Sequence, residues 1–147
     1  GFALYAYDPA GPVTLEIRPM RPDERSYVLD SWRRSLDRRA RRSRSTHAAA
    51  DEDRETLADT QRVVVADDGP AILGWCCFTS LPSGPIVHYV YTRATHRGQG
   101  IARRLLEHAG ARRDRAIATT TTTRAARGIL DAIGVRAVAI DAAEILR

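Results

Sequence analysis

The sequence predicts one mixed α/β domain in the order βα(α)βββαβαβ, with about six strands and about four helices. Three observations carry this. Short β-prone runs recur along the chain, and an apolar stripe of helical period starts at Ile101, directly behind a glycine turn. The strand-like runs come three together before that helix, which excludes both a repeated βαβ ladder and an all-β design. The 147 residues, 44% of them hydrophobic, suffice for one core and not for two.

Each element has its own local reason. Residues 14–20 (TLEIRPM) alternate and are rich in β-formers until Pro19 and Pro22 punctuate them, so they form the first strand. From Asp23, DERSYVLDSWRRSL brings Val28, Leu29, Trp32 and Leu36 onto one helical stripe, with early acids and late arginines matching the helix dipole. An acidic stretch, HAAADEDRETLADTQ, follows as a second helical segment. Residues 63–66 and 72–79 flank a tight Asp-Asp-Gly-Pro turn and read as a hairpin. LPSGP then breaks the chain, and residues 86–92 (IVHYVYT) are apolar enough for a central strand.

The helix from Ile101 turns Ile101, Ala102, Leu105, Leu106 and Ala109 inward. RAIATTTT returns to strand, its threonine run read as a strand end. Thr123 caps a helix that carries Ala126, Ile129, Leu130 and Ile133 inward and stops at Gly134, and VRAVAI is the last strand.

Composition narrows the chemistry. All 23 basic residues are arginine, so neither a Schiff-base lysine nor a P-loop GK[ST] is available. A formal charge of +5 and a pI near 9.9 favour an anionic ligand or partner. Much of the excess lies in RRSLDRRARRSR, where a solvated helix end and loop over 38–50 is the plain reading and a nucleic-acid contact the sharper one. Cys76 and Cys77 are adjacent in a strand, where their side chains point to opposite faces. A core role and a reducing compartment fit them, and the spaced partners of a zinc site are missing, so no metal is expected. With neither a signal-peptide pattern nor an apolar run of membrane length, the expected location is cytoplasmic, with no membrane partner. Residues 1–12 are read as an N-terminal extension without function, inside a single 1–147 domain.

The stretch THRGQGIARRLL carries the functional signal. A strand that enters a glycine turn before a helix presents unpaired N–H groups and a partial positive charge, a cradle for phosphate. A dinucleotide fingerprint G-x-G-x-x-G counted from Gly98 would need glycine where Arg103 stands, in the first βαβ unit. That family of sites is excluded.

Arg97-Gly98-Gln99-Gly100-Ile101-Ala102 resembles the acyl-CoA loop of the GCN5-related N-acetyltransferase (GNAT) superfamily, Arg/Gln-x-x-Gly-x-Gly/Ala. The opening IRPMRPDE is similar to that family's first strand and turn, and the element order agrees over residues 13 to 141. HYVYTRATHRGQGIARRLL and DSWRRS look similar to small phage-type members, some of which act on DNA bases. The resemblance implies a central mixed twisted sheet and acetyl-CoA as cosubstrate. Main-chain N–H groups from Arg97 to Ala102 would then hold the pyrophosphate, and the pantetheine arm would pair with Val90, Tyr91 and Thr92. The N–H of Val90 or Tyr91 would face the thioester oxygen.

It also implies a base near His88, since some arylalkylamine acetyltransferases carry a histidine where the family often has glutamate. An ordinary histidine pKa of about 6.5 suits that work, and a histidine packed in the sheet is the rival reading. The family's usual proton-donating tyrosine is missing from TTTTTRAARGIL, which leaves Tyr91, or Tyr89, as substitutes. The function so implied is acetyl transfer to an amine by direct attack. The acceptor region is arginine-rich, which favours an acidic or nucleic-acid-borne amine. Modification of a nucleobase and a non-catalytic CoA- or nucleic-acid-binding module are the alternatives, in a monomer or a homodimer.

Overall fold

A computed structural model describes residues 15–40, 48–112, 116–119 and 136–139. Its six strands, β1 (Glu16–Pro19), β2 (Arg62–Asp67), β3 (Ile72–Leu81), β4 (Gly84–Thr92), β5 (Ala116–Thr119) and β6 (Arg136–Ala139), form one sheet in chain order. β1 to β4 are antiparallel, and β4, β5 and β6 run parallel. Three helices lie in the described residues: α1 (Arg25–Ala40), α2 (Ala48–Thr60) and α3 (Ile101–Ala109). The expected helix behind Thr123 lies outside them.

Local chemistry accounts for the elements. Pro19 is tolerated because β1 is an edge strand, where a missing N–H costs no ladder bond. The β2–β3 hairpin is tied by its aspartates: Asp67 accepts from the Gly69 N–H at 2.7 Å and Asp68 from the Ala71 N–H at 2.9 Å. LPSGP breaks the strand as expected, by a tight turn with Leu81 paired to Gly84 across the β3–β4 hairpin. Arg18 joins β1, β2 and the turn before α1, since its guanidinium contacts Glu24 at 2.6 Å and Asp67 at 2.9 Å. That contact holds the Glu24 carboxyl down at about 2.

The arginine segment differs from the expected loop over 38–50. α1 runs on to Ala40 and α2 starts at Ala48, so Arg38 and Arg39 are helical. Arginine is a good helix former, and cations in a last turn complement the dipole.

The two faces of the sheet bury different cores. On one, Leu105, Leu106 and Ala109 of α3 pack on Val64, Ala66, Cys76, Phe78, Val87 and Ile117. On the other, Val28 and Trp32 of α1 and Leu57 of α2 meet Val63, Val65, Trp75, Cys77 and Tyr89. Cys76 and Cys77 thus fall on opposite faces as expected, and burial raises both thiols, Cys77 to about 12. They are inert core residues. No described helix is long and apolar enough to cross a membrane.

Candidate active site

α3 begins where Gly100 stands in the left-handed region at φ +81°, two residues after Gly98 at +82°. An L side chain there would cost roughly 1–2 kcal/mol, which explains both glycines. No side chain caps the helix, and its first backbone bond runs from Arg104 N–H to the Gly100 carbonyl at 3.0 Å. The amides of Ile101, Ala102 and Arg103 therefore precede the first intrahelical donor and carry the dipole's positive end. A Cβ on Gly98 or Gly100 would meet no atom within 4 Å, so open space fronts this turn. Arg97 ties the loop to the preceding strand by donating to the Thr92 carbonyl at 3.4 Å. The Thr92 hydroxyl is buried without a hydrogen-bond partner among the described residues.

The backbone of β4 supplies the second half of the site. Its pairing with β3 extends to Thr92, whereas among the described residues its pairing with β5 covers only Ile86 and Val87. The Arg93 N–H bonds to the Leu73 carbonyl at 2.8 Å, which sets the alternation of the antiparallel ladder. With Trp75 opposite Tyr91, the Tyr91 amide is directed at β3, and those of Val90 and Thr92 point away from it. Of the two expected oxyanion donors, Val90 is the one whose N–H points away from β3.

His88 departs from a regular strand. Cys77 pairs with Tyr89 and Phe78 with Val87, so His88 is the extra residue of a β-bulge. Simple alternation would put it on the α3 face beside Val90. The bulge turns it toward Thr79 instead, whose Oγ1 lies 2.7 Å from its Nε2. The ring is fully buried, and desolvation pushes its pKa down to about 4. The expectation of an ordinary value near 6.5 is corrected by that burial, because a charged imidazole is costly there.

An aromatic layer lies on the same face. Trp32 stacks on Tyr89 at 5.5 Å and Trp75 on Tyr91 at 5.9 Å. The Tyr89 hydroxyl bonds Ser35 Oγ, and Trp75 donates to Ser31 Oγ at 2.8 Å. Tyr91 is half-buried, three residues beyond His88, and the Arg97–Thr92 bond joins the glycine turn to the end of β4. Thr79 and Gln61 escaped sequence reasoning. Only strand register carries them to His88.

The model of the family described as "Acetyltransferase (GNAT) domain" matches residues 59–134. Among solved structures, a histone acetyltransferase HPA2 and related acetyltransferase from Corynebacterium glutamicum superposes with a TM-score of 0.56 at 16% identity, over 82% of this chain and 83% of that one. AAC(6')-Iy, solved with a bisubstrate analogue, CoA-S-monomethyl-acetylneamine, gives 0.54 at 13% identity, over 83% and 90%. A GNAT-family protein from Desulfovibrio desulfuricans gives 0.47 at 14% identity, and this chain spans 62% of its length. At such identities the likeness is one of fold. No curated protein sequence matches the chain. The family match covers just over half of the residues, with the β4–loop–α3 unit inside it, and the chain therefore belongs to the GNAT acetyltransferase family, whose members work with acetyl-CoA.

Proposed function

We propose that this chain transfers the acetyl group of acetyl-CoA to an amine by direct attack. The observation that carries the reading is the uncapped, two-glycine entrance to α3 directly beyond the outward-facing amides of Val90 and Thr92. Main-chain N–H groups from Arg97 to Ala102 would hold the pyrophosphate, and Val90 to Thr92 would pair with the pantetheine arm. AAC(6')-Iy, which shares the fold, was solved with a CoA bisubstrate analogue, in keeping with a CoA-dependent reaction.

In the reaction the amine nitrogen bonds to the acetyl carbonyl carbon, the carbonyl oxygen gains charge, and collapse breaks the carbon–sulfur bond. The Val90 N–H, aimed before the reaction begins, stabilises that oxygen; one such donor is worth roughly 3–4 kcal/mol in other acyl transfers. A group with its pKa near 4 is a weak acceptor for the proton of an alkylamine, whose own pKa is about 10.4. His88 accordingly serves as a neutral hydrogen-bonding group, and the amine proton leaves through solvent. Tyr91, half-buried on the same face, is the candidate donor to the departing thiolate.

The exposed Arg33 and Arg34 of α1 favour an acceptor that carries negative charge. The first test is titration with acetyl-CoA followed by a screen of amines that includes nucleic acids. Saturable binding with acetyl transfer is expected, and no binding would sink the reading. Affinity for DNA or RNA that fell steeply with salt would favour the nucleobase acceptor.

A further inference from the structure

Five residues form a hydrogen-bond chain that runs from the end of α2 to the bulge of β4. Thr60 Oγ1 bonds the Thr56 carbonyl at 2.6 Å, and Gln61 Nε2 lies 3.1 Å from Thr60 Oγ1. Gln61 Oε1 lies 2.7 Å from Thr79 Oγ1, which in turn lies 2.7 Å from His88 Nε2.

Its direction follows from the first link. A carbonyl oxygen can only accept, so the Thr60 proton goes to Thr56 and the Thr60 oxygen accepts from the Gln61 amide nitrogen. The amide oxygen then faces Thr79 and takes its hydroxyl proton. Thr79 has no second proton to give, so its oxygen accepts from His88, and the imidazole proton sits on Nε2.

These bonds lead to the point where β4 changes course. Among the described residues the pairing with β5 covers Ile86 and Val87, His88 is the inserted residue, and Val90 follows two positions later with its amide pointing away from β3. A bulge bends its strand and raises the local twist, so whatever holds the bulge also sets where the next amides point.

We propose that Gln61 and Thr79 are positioning residues for acetyl transfer: through the Nε2–H of His88 they pin the β4 bulge and so hold the Val90 N–H on the thioester oxygen. The inference rests on the acetyl-CoA reading above. It assigns the chain no contact with substrate; its whole effect passes through the backbone of β4.

Two measurements decide it. Nitrogen-15 NMR of the unliganded protein is expected to find His88 neutral with its proton on Nε2, a pattern that Thr79→Val abolishes and Thr79→Ser restores. With acetyl-CoA labelled with carbon-13 at the acetyl carbonyl, binding to the wild type is expected to move that resonance downfield. Thr79→Val should move it back toward the free position without loss of affinity, because the glycine loop is untouched, and Thr79→Ser should recover the shift. Gln61→Ala, half-buried at the end of α2, gives a smaller change of the same sign and serves if the valine variant does not fold.

A proton on Nδ1 in the wild type overturns the direction of the chain. A carbonyl resonance identical in wild type and Thr79→Val overturns the positioning role alone. Absence of wild-type binding to acetyl-CoA overturns the parent reading and this one with it, while the unliganded spectrum still decides the direction of the chain.

Discussion

The two faces of the sheet are built on different principles. The α3 face is close-packed hydrocarbon: Leu105 and Leu106 meet Val64, Phe78, Val87 and Ile117, and burial alone accounts for their arrangement. The opposite face stacks Trp32, Trp75, Tyr89 and Tyr91, and threads them with hydroxyl contacts from Ser31 and Ser35. Beyond that layer lies the His88–Thr79–Gln61 chain. Even so, the Trp32 indole N–H stays buried with no partner among the described residues. A dry face tolerates no change of volume but asks for no geometry. The polar face is held by directed bonds, each of which can be lost singly, so the two faces should fail differently.

The largest effect is expected from Leu105→Ala. Deleting a fully buried side chain on the dry face should cost about 2–5 kcal/mol in denaturant unfolding. A loss below about 1 kcal/mol, the range of a single hydrogen bond, would erase the distinction between the faces.

The pH dependence of stability tests the polar face. His88 has its pKa lowered from 6.5 to about 4, so between these values the unfolded chain binds a proton that the native one does not. Stability is therefore complete above about 6.5 and falls as the pH drops toward 4, by up to about 3 kcal/mol from this residue. Chemical unfolding at pH 7 and pH 5 should differ more in wild type than in His88→Gln. Equal differences would place the acid sensitivity between pH 7 and pH 5 elsewhere.

Gly100→Ala probes the cradle, which the dry face supports from behind through α3. A left-handed φ and a Cβ that projects into the open turn should weaken acetyl-CoA binding at least about tenfold, or about 1.4 kcal/mol, in calorimetry. Unchanged affinity would remove this turn from the binding site. The smallest effect is expected from Ser35→Ala, which deletes one bond to the Tyr89 hydroxyl and should cost about 1 kcal/mol without altering acetyl-CoA affinity.

What could be read in advance follows the range of the physics. The glycine turn and α3 were legible because a φ requirement and a 3.6-residue period are local properties, written in consecutive residues. The same holds for the β2–β3 turn, where Asp67 and Asp68 bond amides two and three residues away. His88 was visible as a candidate, but its environment was not. Strict alternation assigns it to the face of Val90, and no property of IVHYVYT announces that β4 carries one residue more than β3 opposite Cys77 and Phe78.

By itself, then, the sequence determined the order of the described elements, the family loop at Arg97 to Ala102, and the opposed burial of Cys76 and Cys77. Each depends on backbone preference or periodicity over a few residues. Only the tertiary structure decided that His88 is buried with its pKa lowered, that Thr79 and through it Gln61 reach it, and that the Val90 amide rather than that of Tyr91 points away from β3. Those facts depend on strand register and on desolvation, which arise when segments distant in sequence are packed together.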